Sequence, residues 1–406
     1  MNEKIYYMLS EKVVIEKVNS EIFVNDEKIY PDGHSETKAH TADINTIIKN
    51  KIATYTRSIF EDKYVNEAWL LGAGASIQHG RNEHSDTNAL DRGGLWDECK
   101  EIVSKIQKKL GNKIALCVEQ SNIENVLSHL NRLMELDLLD SECVHFLKEI
   151  QDIIRNKCNI KLGECSPQET LIQKLTARKS SEPRVRIFTT NYDTLIEQAA
   201  SKSGCVLIDG FSYTIPRKFA GHYYDIDFVD REQTRLANEE SFLRRVIHLY
   251  KIHGSLNWTR QGEDIIQENA VSNDPLIVYP SNNKYKDAFS QPYFEMMSRF
   301  QITLRKQDLR LVVTGFGFAD EHIQSAIVDA VHQNPNFQLI INDYNYQNHI
   351  DVEKYCKLKI IRKNSDGSLS ILPNVVIIFS NFEELVANIP SNIVYDEETE
   401  KYAVLR

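Results

Sequence analysis

The sequence has no closely spaced pair of cysteines. Its seven cysteines, Cys99, Cys117, Cys143, Cys158, Cys165, Cys205 and Cys356, are odd in number and scattered. The nearest two, Cys158 and Cys165, stand too far apart for a structural zinc module, so no zinc is expected. They read instead as reduced thiols, most of them in the core. No apolar run approaches the ~20 residues needed to cross a bilayer. The opening Met1-Asn2-Glu3-Lys4 lacks the charged region, apolar stretch and cleavage site of a secretory leader, so a cytoplasmic protein with no membrane contact is expected. Positive charge is not in excess either: 48 Lys and Arg face 58 Asp and Glu, a net charge of -10, which argues against direct nucleic-acid binding. There is no internal repeat and no low-complexity tract. A Gly-x-Gly-x-x-Gly run followed by a ribose-binding acid is also missing, which removes the usual dehydrogenase pattern.

Against these absences, three short motifs follow apolar runs in a fixed order. Gly72-Ala73-Gly74-Ala75-Ser76 follows Trp69-Leu70-Leu71. Thr189-Thr190-Asn191-Tyr192-Asp193 follows Val185-Arg186-Ile187-Phe188, and Lys251-Ile252-His253-Gly254-Ser255 follows Val246-Ile247-His248-Leu249-Tyr250. Each falls where a buried strand runs out into a loop, the place where a doubly wound sheet forms its ligand crevice. The fold class expected is α/β, a Rossmann-like doubly wound parallel sheet.

Glycines let main chain approach a pyrophosphate whose charge is met by amide N–H groups, which makes Gly72, Ala73, Gly74 and Ser76 candidate nucleotide-binding residues. A tight strand-to-helix turn without a ligand would look the same. Asn191 offers a donor and an acceptor together, suited to a ribose hydroxyl or an attacking water. Thr190 and Asp193 flank it as further candidates; Asp193 reads more readily as the cap of a helix starting near Thr194. His253 is a candidate general base, with Gly254 leaving room for a substrate. His248, inside the strand, is assigned to packing or hydrogen bonding. A fourth run, Leu309-Arg310-Leu311-Val312-Val313, ends at Thr314-Gly315-Phe316-Gly317-Phe318-Ala319-Asp320. There Gly315, Phe316 and Gly317 are candidates to border ribose and phosphate, and Asp320 reads as a helix cap. Asn342 and Asp343, ending the run Phe337 to Ile341, either reach the adenosine half of a nucleotide or form a turn.

Residues 1–42 read as a small amino-terminal appendage and possible assembly surface, 43–390 as the main domain, and 391–406 as a polar tail. A helix is expected over Thr46 to Phe60. About 95–180 reads as a helical insertion: Ser121 with Glu124 fits a capping box, and Ile123, Val126, Leu127, Leu130 and Met134 recur at helical spacing. Val375 to Phe379 reads as the last strand.

Together the motifs resemble the sirtuin superfamily, in which a glycine-alanine-glycine loop, a Thr-x-Asn-x-Asp motif and a His-Gly pair occur in this order. Lys251 to Trp258, Thr189 to Asp193 and Thr314 to Asp320 are more similar to bacterial sirtuin-like defence proteins than to protein deacylases. The resemblance spans roughly Ala68 to Pro390. Deacylases carry paired zinc cysteines and a Gly-Ile-Pro-Asp-Phe-Arg-like segment after the first loop; this chain has Ile77-Gln78-His79-Gly80-Arg81-Asn82-Glu83 there. The resemblance implies an NAD+ hydrolase that releases nicotinamide and ADP-ribose during antiphage defence, with Asn191 and His253 catalytic. It also implies a homo-oligomer, working with a HerA-type hexameric ATPase. An NAD-dependent deacylase and a non-catalytic NAD or ADP-ribose sensor are the competing readings.

Overall fold

The computed structural model describes residues 4–18, 21–29, 44–77, 92–119, 121–179, 181–230, 242–277, 291–344, 352–365, 368–391, 393–396 and 401–404. Residues 31–33, which in sequence end the β-rich part of the amino-terminal appendage, and residues 78–83 lie outside the described residues.

One large sheet organises the chain. Its strands in chain order are β1 (Lys4–Ser10), β2 (Val14–Val18), β3 (Glu21–Val24), β4 (Glu27–Ile29), β5 (Asn66–Leu71), β6 (Arg186–Thr189), β7 (Val206–Ile208), β8 (Val246–Lys251), β9 (Leu309–Thr314), β10 (Phe337–Asp343) and β11 (Val375–Phe379). Across the sheet they run β4-β3-β2-β1-β11-β10-β9-β5-β6-β8-β7. From β11 to β7 every pairing is parallel. The amino-terminal strands form an antiparallel meander joined to this sheet through β1 on β11. The appendage thus extends the main sheet.

Side chains on the parallel strands divide by the two-residue period of a strand. Ala68, Leu70, Phe188, Leu311 and Val313 enter one core, beneath Met296 and Phe300 of α8 (Tyr293–Leu304) and Ile323 and Ile327 of α9 (Glu321–Gln333). Trp69, Leu71, Ile187, Ile247 and Val312 enter the other. That core is covered by α1 (Ile44–Glu61), α6 (Pro167–Thr176), α7 (Leu195–Lys202) and α11 (Phe382–Asn388). With both faces covered, the strands can carry apolar side chains on both sides, as Ala68 to Leu71 of β5 and Leu311 to Val313 of β9 do. The architecture is the α/β doubly wound fold expected from the strand-and-loop pattern.

The expected helical insertion contains α2 (Arg92–Leu110), α3 (Ala115–Glu119), α4 (Ile123–Glu135), α5 (Ser141–Cys158) and α6. Cys99, Val103, Ile106, Val126, Leu127, Leu130, Leu147 and Ile150 give its first part a core of its own. Helix α6 departs from it and packs on the sheet, bringing Leu171, Ile172 and Leu175. The cap of α4 corrects the sequence reading. Ser121 has a left-handed backbone, and it is Asn122, next to the helix, whose Oδ1 accepts from the Asn125 amide at 3.4 Å. Among the described residues no helix is long and apolar enough to cross a membrane.

Candidate functional site

After β5 and β6 the chain builds outward on one side, through β8 and β7; with β9 it returns to the other side of β5 and continues to β10 and β11. The switch point therefore lies between β5 and β9, and a crevice is expected outside their carboxyl ends. All four motif loops leave neighbouring strands there, in the spatial order 315–320, 72–76, 190–194 and 252–256.

The first and last of these motifs in the chain meet through main chain. Gly72 N donates to Thr314 O at 2.9 Å and Gly74 N to Gly315 O at 3.0 Å. A Cβ on Gly72 would stand 2.4 Å from Gly315 O, and one on Gly315 (φ +66°) 2.4 Å from Ala75 N. The glycines are thus required by loop-on-loop contact in the absence of any ligand. Within 72–76 the amides of Gly72, Gly74, Ala75 and Ser76 all bond inside the chain, the last two closing one 3-10 turn. Ala73 is exposed. Gly317 is exposed too, and Phe316 is half-buried with its ring 5.2 Å from that of Phe318.

The second loop locks onto the first by side chains. Thr190 N donates to Leu71 O at 3.1 Å. Asn191 Nδ2 donates to Gly72 O at 2.9 Å and to Ser76 Oγ at 2.8 Å, and Ser76 Oγ donates to Asp193 Oδ2 at 2.8 Å. Because Gly72 O can only accept, the amide orientation of Asn191 is determined: nitrogen toward the loop, Oδ1 left over. Asn191 Oδ1 makes no hydrogen bond among the described residues. Asp193 Oδ1 accepts from Leu195 N at 3.0 Å, so its oxygens serve the α7 start and the loop, but the N-cap position of α7 is Thr194, one residue on.

Lys251, at the end of β8 and 2% exposed, reaches back to Asp193 O and to Glu197 Oε1, the latter at 2.9 Å. Leu256 N donates to Tyr192 O at 3.0 Å. Burial pushes the Glu197 carboxyl up, and the Lys251 ammonium opposes that. His253 is 5% exposed, and its Nε2 lies 3.0 Å from Asp320 Oδ2. Asp320 Oδ1 accepts from His322 N and Ile323 N, capping α9 as expected. These contacts close a ring of four loops: Asp320 to His253, the 252–256 loop to the 190–194 loop, that loop to Gly72 and Ser76, and these back to Gly315.

Two expectations change. Gly254 does not make room for a substrate: with φ +84° its Cβ would fall 2.1 Å from Leu276 O, so it serves packing of the 252–256 loop. Asn342 and Asp343 end β10 and are not turn residues. Asn342, 4% exposed, accepts from Thr314 Oγ1 at 2.8 Å and donates to Ser380 O at 2.9 Å, tying the ends of β9 and β10 to the residue after β11. Asp343 pairs with Lys354 at 3.0 Å and accepts from the Tyr355 hydroxyl. His248 is buried, bonds Tyr250 through Nδ1 at 3.1 Å, and is held far below its ordinary value, at about 3, chiefly by burial and then by Arg186.

Sequence reasoning missed Gln168 and Lys251. Gln168 on α6 is 1% exposed and donates from Nε2 to Ala75 O at 2.6 Å, holding the first loop from the helical side. A buried amide three positions after the cysteine-serine turn carries no motif. Lys251, an ionisable residue closing a strand buried along its whole length, was the available signal for its pairing.

Residues 185–357 match the family described as SIR2-like domain. The matched span holds Asn191, Asp193, His253, the 315–320 loop and Asn342; the 72–76 loop lies before it. The match supports a sirtuin-like protein and fits an NAD-related function. No curated protein sequence matches the chain. Among the described residues no group of three or more His, Cys, Asp or Glu side chains is arranged to hold a metal ion.

Proposed function

We propose that this protein is an NAD+ glycohydrolase, cleaving NAD+ to nicotinamide and ADP-ribose, that it acts in bacterial antiphage defence by depleting NAD, and that it works as an oligomer with a HerA-type ATPase. The observation that supports it is that Asn191 and His253 stand on loops leaving the adjacent strands β6 and β8 at their carboxyl ends, within the SIR2-like match. NAD binds along the crevice with its pyrophosphate toward the 72–76 and 315–317 loops and its nicotinamide riboside toward Asn191 and His253.

Breaking the glycosidic bond leaves a cation-like ribose. Fixed carbonyl and carboxylate dipoles at the strand ends offset that charge without reorganising. Asn191 Oδ1, with its amide nitrogen committed to Gly72 and Ser76, accepts from the attacking water or a ribose hydroxyl. His253 takes the proton; removing such a base costs about 10²–10⁴ in rate. The defence role and the ATPase partner rest on the resemblance of Thr189 to Asp193, Lys251 to Trp258 and Thr314 to Asp320 to sirtuin-like defence proteins.

The test is NAD turnover by the purified chain, alone and with a HerA-type ATPase, with chromatography of the products. Nicotinamide and ADP-ribose appear without any peptide, and His253→Ala or Asn191→Ala abolishes them while the protein still folds. Release that requires an acylated peptide would replace the reading with a deacylase. Tight NAD binding with no turnover in either mixture would replace it with a sensor.

A further inference from the structure

The bond between His253 and Asp320 joins loops that are not neighbours. Their strands, β8 and β9, are separated by β6 and β5, three interstrand steps or about 14 Å. The two side chains meet at 3.0 Å only because both loops reach over the ends of the intervening strands. The two partners are not equally fixed. Asp320 is fastened by its other oxygen to the first amides of α9, whose Ile323, Ile327, Ala330 and Val331 are buried. An ionised carboxylate only accepts, so the hydrogen between the residues belongs to His253 Nε2. Nδ1 is then the basic nitrogen of the ring, and it makes no hydrogen bond among the described residues.

We propose that Asp320 is the positioning residue for His253: its carboxylate, anchored on helix α9, fixes the imidazole ring and its tautomer so that Nδ1 is held as the proton acceptor. The kinetic part of this inference rests on the glycohydrolase reading; the tautomer does not. A purely structural Asp320 would do no more than cap α9. Asn separates the two roles, because it caps a helix about as well as Asp. With its oxygen kept by the His322 and Ile323 amides, the Asn carboxamide turns its NH2 toward His253. Nε2 must then accept, and the ring proton moves to Nδ1, where it blocks proton uptake.

The experiment compares full-length wild type and Asp320→Asn by 15N NMR of histidine-labelled protein, with the His253 signals identified by their loss in His253→Gln. The wild type shows His253 protonated on Nε2 and the variant shows it on Nδ1, at an unchanged denaturation midpoint. In NAD hydrolysis the variant loses about 10²–10⁴ in kcat while KM stays near its original value. The same tautomer in both proteins, or an unchanged kcat beside an active wild type, overturns the proposal. A switch of tautomer in a wild type that leaves NAD intact upholds the positioning role and removes the glycohydrolase reading instead.

Discussion

Ser76 Oγ donates to Asp193 Oδ2 at 2.8 Å, joining residues 117 positions apart in sequence. The same oxygen accepts from Asn191 Nδ2. Ser76→Ala therefore removes one group and strands two, leaving a buried carboxylate oxygen without a side-chain donor and Asn191 with one acceptor fewer. The ligand-free protein loses about 1–3 kcal/mol in denaturant melts. On the glycohydrolase reading NAD hydrolysis falls as well, because Asn191 is then held by Gly72 O alone. An unchanged melt would show that the serine hydroxyl contributes nothing to the loop.

Gly72→Ala distinguishes a glycine kept for a ligand from one kept for the fold. Its Cβ would meet Gly315 O at 2.4 Å and Phe316 Cα at 2.7 Å, both main chain. The variant loses about 1–3 kcal/mol with no nucleotide present, the usual cost of overpacking. Thermal melts without NAD check this. Full stability without ligand, combined with lost binding, would return the glycine to a pyrophosphate role.

Lys251→Met leaves Glu197 facing the core without its ammonium. Breaking a buried pair from one side costs about 3–5 kcal/mol. The lower end is expected, since the Glu197 side chain keeps 18% of its surface in solvent. Lys251→Met with Glu197→Gln recovers much of the loss, and the double-mutant cycle in urea measures the coupling. Additive losses would mean the two groups do not sense each other.

His248 makes the fold sensitive to acid. Its folded-state value of about 3 lies below the ordinary 6.5, so from pH 6.5 down to about 3 the unfolded chain binds a proton that the folded protein refuses. Its contribution is fully present above 6.5 and drains away as the pH falls through that window. His248→Gln, which keeps a partner for Tyr250, flattens the dependence of denaturation midpoint on pH there. Parallel profiles for the two proteins would contradict it.

What the sequence made legible was local. Four apolar runs ended in Gly, Asn or His motifs, so β5, β6, β8 and β9 could be read before any coordinates. Asp320 could be read as a cap from its place before helical spacing. The partners of these residues could not be read, since they come from other strands. Nothing around Gly72 announces that Gly315 lies against it, and nothing around His253 announces Asp320. The antiparallel seat of β1 on β11 was equally hidden, because strand order depends on pairing between chain ends. At Ser121 the local rule itself misled: a serine three before a glutamate fits a cap, but Asn122 one residue on was nearer the first free amides.

The seam between the 72–76 and 315–320 loops is made of peptide groups from both sides. Its donors and acceptors are main chain, but it closes only where positions 72, 74 and 315 carry no Cβ. Substitutions that leave those three glycines in place therefore alter side chains only at the borders of the seam, at positions such as 191 and 316.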